Sequence, residues 1–345
     1  MPEKIATIAD IARLAGVSPA TVSRTLNKSG YVGEKNRRLV EDIIKTTGFV
    51  PNAAAKTIVT GQTKLLGLII PTFENPVYHE ILKGANEAAV ERGFSVVLCI
   101  EGEDDQSVNA AMLRLAALQV DGIIIARPEY HAFNAEEKLK PFLARRLPIV
   151  QLGTQSEENR IDGIIVNDYE CGYAVGVHLA RLGHEYCTIL GEPVNKFVQE
   201  RHNGFRNAFL DQGLRTSDLI VESADFSRSG GISATLRALS ARPDTSAIFA
   251  MNDIMAVGAL EAAEQSGCMV PEDLAIVGFD GIQLGSLVRP RLTTIIIPTF
   301  EIGKTLVELL LSRIDGTWTG ESRQVVLNGR LKVRESSVAG SGRLA

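Results

Sequence analysis

Apolar positions recur along this 345-residue chain in two different rhythms, and the change falls near residue 64. Before it, the spacing predicts three short helices. Thr7 is placed to cap a helix from Ile8 to Leu14, which Gly16 breaks; Ser18 followed by Pro19 reads as a cap and first-turn proline opening a second helix to Leu26. A third, amphipathic helix is predicted over about residues 34–47, with Leu39, Val40, Ile43 and Ile44 at helical spacing and Gly48 at its end.

From Lys64 onward the rhythm is strand, helix, strand. Short apolar runs, LLGLII, FSVVLCI, GIIIA, PIVQL, GIIV, CTILG, AIFA and LAIVGF, are separated by helical patterns such as the one opened by Asn75-Pro76 with Ile81, Ala85, Ala88 and Ala89 on one face. Alternating short apolar strands and helices specify a parallel sheet covered on both faces, and the strands are too numerous for one sheet, so two doubly wound subdomains are expected. Ligands in such folds sit beyond the carboxyl ends of the strands, where strand order reverses. That rule nominates Phe73, Glu74 and Asn75 after the first strand, and Arg127, Thr154, Asn167, Glu192, Asn252 and Asp280 after later ones. Polar and aromatic groups converging there describe a small-molecule site.

Charge sharpens the division. The first 60 residues hold nine Lys and Arg against five Asp and Glu, a balance of +4, while the whole chain carries -5 and the remainder therefore -9. A basic head on an acidic body is what a chain needs when only the head meets phosphate. Cys99, Cys171, Cys187 and Cys268 are far apart, without C-x-x-C spacing, and read as buried thiols. MPEKIATIAD contains no apolar signal segment and no run of about 18 apolar residues occurs, so a cytoplasmic location without membrane insertion is expected.

In IADIARLAGVSPATVSRTLN a helix-turn-helix finds its small residue at the helix crossing (Ala12), its turn glycine (Gly16) and the apolar pins Ile11, Ala15, Val17 and Val22. The outer face of the second helix carries Pro19, Ala20, Thr21, Ser23, Arg24 and Asn27. Laid in a major groove, such a helix would use Arg24 on guanine and the hydroxyls on phosphate. A generic three-helix bundle is the alternative. Pro19 and Ala20 offer no directional hydrogen bond to a base edge, which leaves Arg24 as the main donor.

TIADIARLAGVSPATVSRTLN, FVPNAAAKTI, MNDIMAVGALEA, IVGFD and LTTI, in this order along essentially the whole chain, resemble the LacI/GalR family of bacterial transcription regulators. The resemblance implies an all-α helix-turn-helix head, a hinge, and an α/β core of two doubly wound parallel-sheet subdomains of periplasmic-binding-protein type joined by three chain crossings. The corresponding division is 1–50 for the head, 51–63 for the hinge, 64–165 with 296–325 and 166–295 with 326–340 for the two subdomains, and 341–345 for a tail. In the hinge, Pro51 and Asn52 start a segment that three alanines favour as helix and the β-branched run Thr57, Ile58, Val59 and Thr60 resists, so it should not hold a helix in isolation. A plain linker is the alternative. By resemblance it becomes helical when two copies meet over the minor groove, with Ile58 as the apolar wedge where relatives commonly have leucine. The DNA-contacting set is thus Thr7, Ser18, Pro19, Ala20, Thr21, Ser23, Arg24, Asn27, Asn52, Ala55 and Ile58.

The same resemblance places an effector among Asn75, Tyr78, Arg127, Arg201, Phe226, Asn252 and Asp280: a carboxylate for neighbouring hydroxyls, an amide and guanidinium beside it, and aromatic walls. Each has a structural alternative, with Asn252 a helix cap, Arg201 a surface ion pair, and Tyr78 and Phe226 simple core. Gly153 and Val166 stand where some relatives have acids, which with Arg127 and Arg201 admits a sugar acid or sugar phosphate beside a neutral sugar. No cofactor or metal is signalled: G-x-S-x-G and G-x-G-x-x-G are absent, the five histidines have neither i, i+4 spacing nor cysteine partners, and Gly303-Lys304-Thr305 lacks the glycine of a phosphate loop. The chain therefore reads as a ligand-responsive regulator, not an enzyme, that binds a palindromic operator as a homodimer. The alternative is a sugar-binding protein of periplasmic type without DNA regulation.

Overall fold

The computed structural model describes residues 7–27, 29–50, 57, 61–101, 105–127, 142, 146–153, 161–193 and 195–338, in two units parted after Thr63. The first unit contains α1 (Ile8–Ala15), α2 (Pro19–Asn27) and α3 (Glu34–Thr47). Thr7 caps α1 in a reciprocal arrangement with Asp10, and Gly16 and Gly48 end α1 and α3 in the left-handed conformation that a residue without Cβ adopts at least cost. Ile11, Ala12, Ala15, Val22, Val40 and Phe49 form the core of this unit, with Val17, Ile43 and Ile44 packed against it. Leu39, expected on the inner face of α3, is instead exposed.

Among the described residues, the second unit holds two six-stranded sheets. β1 (Leu65–Ile70), α4 (Val77–Glu91), β2 (Ser95–Ile100), α5 (Asp105–Ala117), β3 (Gly122–Ile125), β4 (Ile149–Leu152) and β5 (Asp162–Val166) open the chain's first pass. Then come α6 (Asp168–Arg181), β6 (Cys187–Leu190), α7 (Lys196–Asp211), β7 (Leu219–Glu222), α8 (Arg228–Ala241), β8 (Ala247–Ala250), α9 (Asp253–Gln265), β9 (Ala275–Asp280) and β10 (Thr293–Ile296). The chain finishes with α10 (Thr299–Ile314), β11 (Gln324–Leu327) and β12 (Arg330–Lys332). Strand order is β11-β5-β4-β3-β1-β2 in one sheet and β12-β10-β9-β8-β6-β7 in the other, every pairing parallel except β10 with β12. Order therefore reverses between β1 and β3 in the first sheet and between β6 and β8 in the second, so the residues beyond those strands face the two switch points.

The chain passes between the sheets three times, after β5, β10 and β11. Since β5 is laddered to Val166, β10 to Ile296 and β11 to Leu327, each crossing falls one or two residues later than the boundaries expected at 165/166, 295/296 and 325/326. Four strands, β7, β10, β11 and β12, are not among the apolar runs of the sequence. β7 and β11 are short and only half-buried, while β12 is the three residues Arg330, Leu331 and Lys332, so neighbouring strands rather than local composition hold these three in place. Expected positions Asn52, Ala55, Ile58 and Thr154, and the tail 341–345, lie outside the described residues.

Candidate functional site

On α2 the exposed residues are Pro19, Ala20, Arg24 and Asn27, with Thr21 and Ser23 half-buried and Val22 and Thr25 turned to the core. The helix is started by Ser18, whose Oγ accepts the Thr21 N–H at 3.2 Å and lies 3.0 Å from the Thr21 hydroxyl. Those two hydroxyls are thus already engaged with one another, and Thr7 is engaged with Asp10, its hydroxyl donating to the carboxylate at 2.7 Å. Arg24 lays its aliphatic stem along Gly30, where a Cβ would stand 3.6 Å from Cδ. The guanidinium is carried on an exposed face with Ala20 and Asn27, the arrangement a groove-reading helix requires.

In the second unit Asn75, Asn252 and Asp280 lie at or beyond strand ends, while Tyr78 and Arg201 lie on helices. Asn75, after β1, donates from Nδ2 to Asp280 Oδ2 at 3.2 Å, across the gap between the two sheets, and its Oδ1 accepts the Val77 N–H at the start of α4. Asp280 ends β9 at φ +115 and is 7% exposed. Asn252, after β8, caps α9 by accepting from Met255 N at 2.8 Å and donates to Phe226 O at 2.9 Å, so it is the cap that the sequence offered as the alternative and also braces the Phe226 backbone. Tyr78 is buried in the core along α4, and Arg127, two residues after β3, is buried as well.

Arg201, on α7, is not a surface ion pair. Nε donates to Asp168 Oδ1 at 2.7 Å, Nη1 donates to Met251 O at 2.8 Å, and the guanidinium lies 3.5 Å above the Phe279 ring. Burial opposes its charge, but Asp168 and Asp280 outweigh that and hold the guanidinium protonated. Burial likewise pushes the Asp168 carboxyl up, with Arg201 pulling against it. The close approach of α6 and α7 makes this pair possible. A Cβ on Gly172 would overlap Arg201 O and lie 2.8 Å from its carbonyl carbon.

Sequence reasoning passed over Asp168 and Asp253. Asp168 follows Asn167 and looks like an ordinary acid in a first helical turn. Asp253 follows Asn252 inside a cap motif. Both are buried, Asp253 completely, and burial together with the neighbouring Asp280 drives the Asp253 carboxyl well above the usual carboxylate range. The sequence signal is an acid adjoining an asparagine at a strand end, which does not distinguish a solvated carboxylate from a buried one. Asn167 acts at the first crossing, its Oδ1 accepting Gly329 N at 2.7 Å and so tying the first crossing to the third. Beside it lies a cavity of about 480 Å³ lined by Val166, Asn167, Asp168, Phe197 and Val326 among others, and neither Asn75 nor Asp280 lines it. Glu192 is exposed. Among the described residues, no three His, Cys, Asp or Glu side chains converge as a metal site would.

Comparison with known proteins bears on both regions. Residues 7–52 match the bacterial regulatory proteins of the lacI family, and residues 177–337 match a periplasmic binding protein-like domain. The ribose operon repressor of Escherichia coli (strain K12) is 34% identical over 311 residues, covering 90% of this chain and 93% of the repressor. Among solved structures, the Lac repressor dimer bound to operator and the anti-inducer ONPF superposes with a TM-score of 0.86 at 26% identity, covering 97% of this chain and 100% of that one. A LacI family transcriptional regulator from Enterococcus faecium with bound ribose superposes at 0.71 with 29% identity, covering 79% of this chain and 98% of that one. With its capped helix-turn-helix unit, its two sheets exchanging chain three times, and relatives of this identity along nine-tenths of its length, the chain belongs to the lacI family of bacterial regulatory proteins and is a DNA-binding transcriptional repressor.

Proposed function

We propose that this repressor binds a roughly palindromic operator as a homodimer in the cytoplasm and responds to a neutral sugar held between the two sheets of its core. The carrying observation is the Asn75–Asp280 hydrogen bond across the gap, set beside an Arg201 whose charge Asp168 already matches. A carboxylate facing an amide suits vicinal hydroxyls, two of which can donate to one carboxylate. Of the two cations that admitted a sugar acid or phosphate, one is compensated, which shifts the preference to the uncharged sugar. The name of the Escherichia coli relative and the ribose in the Enterococcus faecium structure support a sugar of pentose size, and the Lac repressor complex supports a dimer on two operator half-sites.

Ligand entering the gap exchanges Asn75–Asp280 contact for sugar contacts and so favours one arrangement of the two sheets. The segment 51–63, with Ile58 as its wedge, carries that preference to the head; couplings of this kind are about 1–3 kcal/mol. The test is calorimetry of purified protein with D-ribose, D-ribonate and ribose 5-phosphate, followed by fluorescence anisotropy on genomic fragments selected for binding. Heat from the neutral sugar and a changed fragment affinity in its presence are expected. Tighter binding of ribonate or the phosphate would overturn the neutral-sugar reading. An unaltered fragment affinity with every bound sugar would overturn the coupling.

A further inference from the structure

The turn that carries Asp280 is held by a second carboxylate. Asp253, the first residue of α9, is fully buried; its Oδ2 accepts the N–H groups of Gly281 and Ile282, both at 2.8 Å, and its Oδ1 accepts the Thr294 hydroxyl at 2.6 Å. The surroundings are closely packed, and two glycines make room for this arrangement. A Cβ on Gly278 would overlap Asp253 Oδ1, and one on Gly281, itself at φ +78, would stand 2.7 Å from Ile296 Cα. Immediately before the two clamped amides comes Asp280 at φ +115, a backbone conformation that non-glycine residues rarely adopt and that persists only where neighbouring contacts over-determine it. With the backbone turned this way, the Asp280 carboxylate reaches Asn75 of the opposite sheet.

We propose that Asp253 is a positioning residue: by clamping the amides of Gly281 and Ile282 it imposes the left-handed backbone of Asp280 and aims that carboxylate into the gap between the sheets. The clamp stands on its own geometry; only its consequence for a sugar rests on the function proposed above. An apolar side chain at 253 would leave the buried N–H of Ile282 and the half-buried N–H of Gly281 without an acceptor, and the turn would relax toward ordinary φ values to find others. Asparagine, by contrast, keeps one oxygen for both amides and presents its NH2 to the Thr294 hydroxyl.

The test reads the clamp first without any ligand. Full-length protein labelled with 15N-asparagine is prepared as wild type, Asp253→Ala, Asp253→Leu, Asp253→Asn, Thr294→Val and Asp280→Ala, with the Asn75 side-chain NH2 signal assigned from its loss in Asn75→Ala. Asp280→Ala moves that signal to the position of a solvent-bonded amide. Asp253→Ala and the near-isosteric Asp253→Leu, which leaves no cavity, are expected to move it to the same place. Asp253→Asn restores it, and Thr294→Val, which spares both amides, leaves it. A merely structural residue would lower the melting temperature without moving the Asn75 signal, and that pattern in either apolar variant overturns the proposal. Thermal-shift titration with D-ribose then gives the consequence. We expect at least a tenfold loss of affinity in Asp253→Leu, with no further loss when it is combined with Asp280→Ala; multiplicative losses would show that Asp253 does not act through Asp280. Failure of D-ribose to bind the wild type counts against the sugar reading, while the clamp is still decided by the Asn75 signal.

Discussion

Removal of the Asp168 carboxylate is the sharpest perturbation of the core. In the intact protein Asp168 is 3% and Arg201 13% exposed at the side chain, so solvent cannot replace a lost partner on either side. Breaking a buried pair by deleting one member costs about 3–5 kcal/mol, because the remaining charge stays desolvated. Arg201 keeps the Met251 carbonyl and the Phe279 face, and these offset part of that cost. We therefore expect Asp168→Ala to cost about 3 kcal/mol and Asp168→Asn, which retains an acceptor for Nε, about 1–2 kcal/mol. At about 2–4 °C per kcal/mol for a body of this size, Asp168→Ala lowers the melting temperature by about 6–12 °C in differential scanning calorimetry. The neutral pair Asp168→Asn with Arg201→Gln should melt above Asp168→Ala, since no unpaired guanidinium remains buried. The loss should also persist at 0.5 M salt, which screens surface pairs and not buried ones. A shift under about 1 °C, or one abolished by salt, would refute the argument.

Gly172→Ala should destabilise by about 1–3 kcal/mol, seen as an earlier circular-dichroism melt, because the added methyl overlaps the backbone of Arg201 and forces α6 from α7. Arg24→Ala should weaken binding to a selected operator fragment by about 1–3 kcal/mol in fluorescence anisotropy, and an equal loss on random duplex would show that Arg24 reads no base. Burial lowers the pKa of His178, His184 and His202. These histidines therefore bind fewer protons in the folded than in the unfolded chain as pH falls through about 6.5, so their contribution to stability is present above that pH and is lost on acidification. His202 donates from Nε2 to Gly191 O, and a glutamine amide can do the same. Melting temperatures of wild type and His202→Gln should diverge at pH 7.5 and converge by pH 5.5. Their difference isolates the histidine from buried carboxylates such as Asp253, whose raised pKa acts in the opposite sense, and a difference independent of pH would contradict the assignment.

Much of this architecture is legible before any coordinate. The three head helices follow from Thr7, Gly16, Ser18-Pro19 and Gly48, whose effects are local, and the parallel sheets follow from apolar runs that only a doubly covered strand tolerates. The rule that ligands meet the carboxyl ends of strands selects Asn75, Asn252 and Asp280 because those ends are readable from the runs themselves. Less legible are the strands that neighbours hold in place, such as β11 and β12, and with them the positions of the crossings.

Partnership was decided only in three dimensions. Asn75 and Asp280 lie 205 positions apart and Arg201 and Asp168 lie 33 apart, so no local pattern announces that one pair spans two sheets and the other cancels a charge. Asp253 and Asn252 are adjacent in the chain, yet one carboxylate is sealed around the Asp280 turn while its neighbour caps a helix and braces Phe226. Residue type and spacing state what a side chain can do. Its electrostatic state and its partner depend on which surfaces the packed sheets bring within 3 Å and withdraw from water, and that is a property of the whole fold.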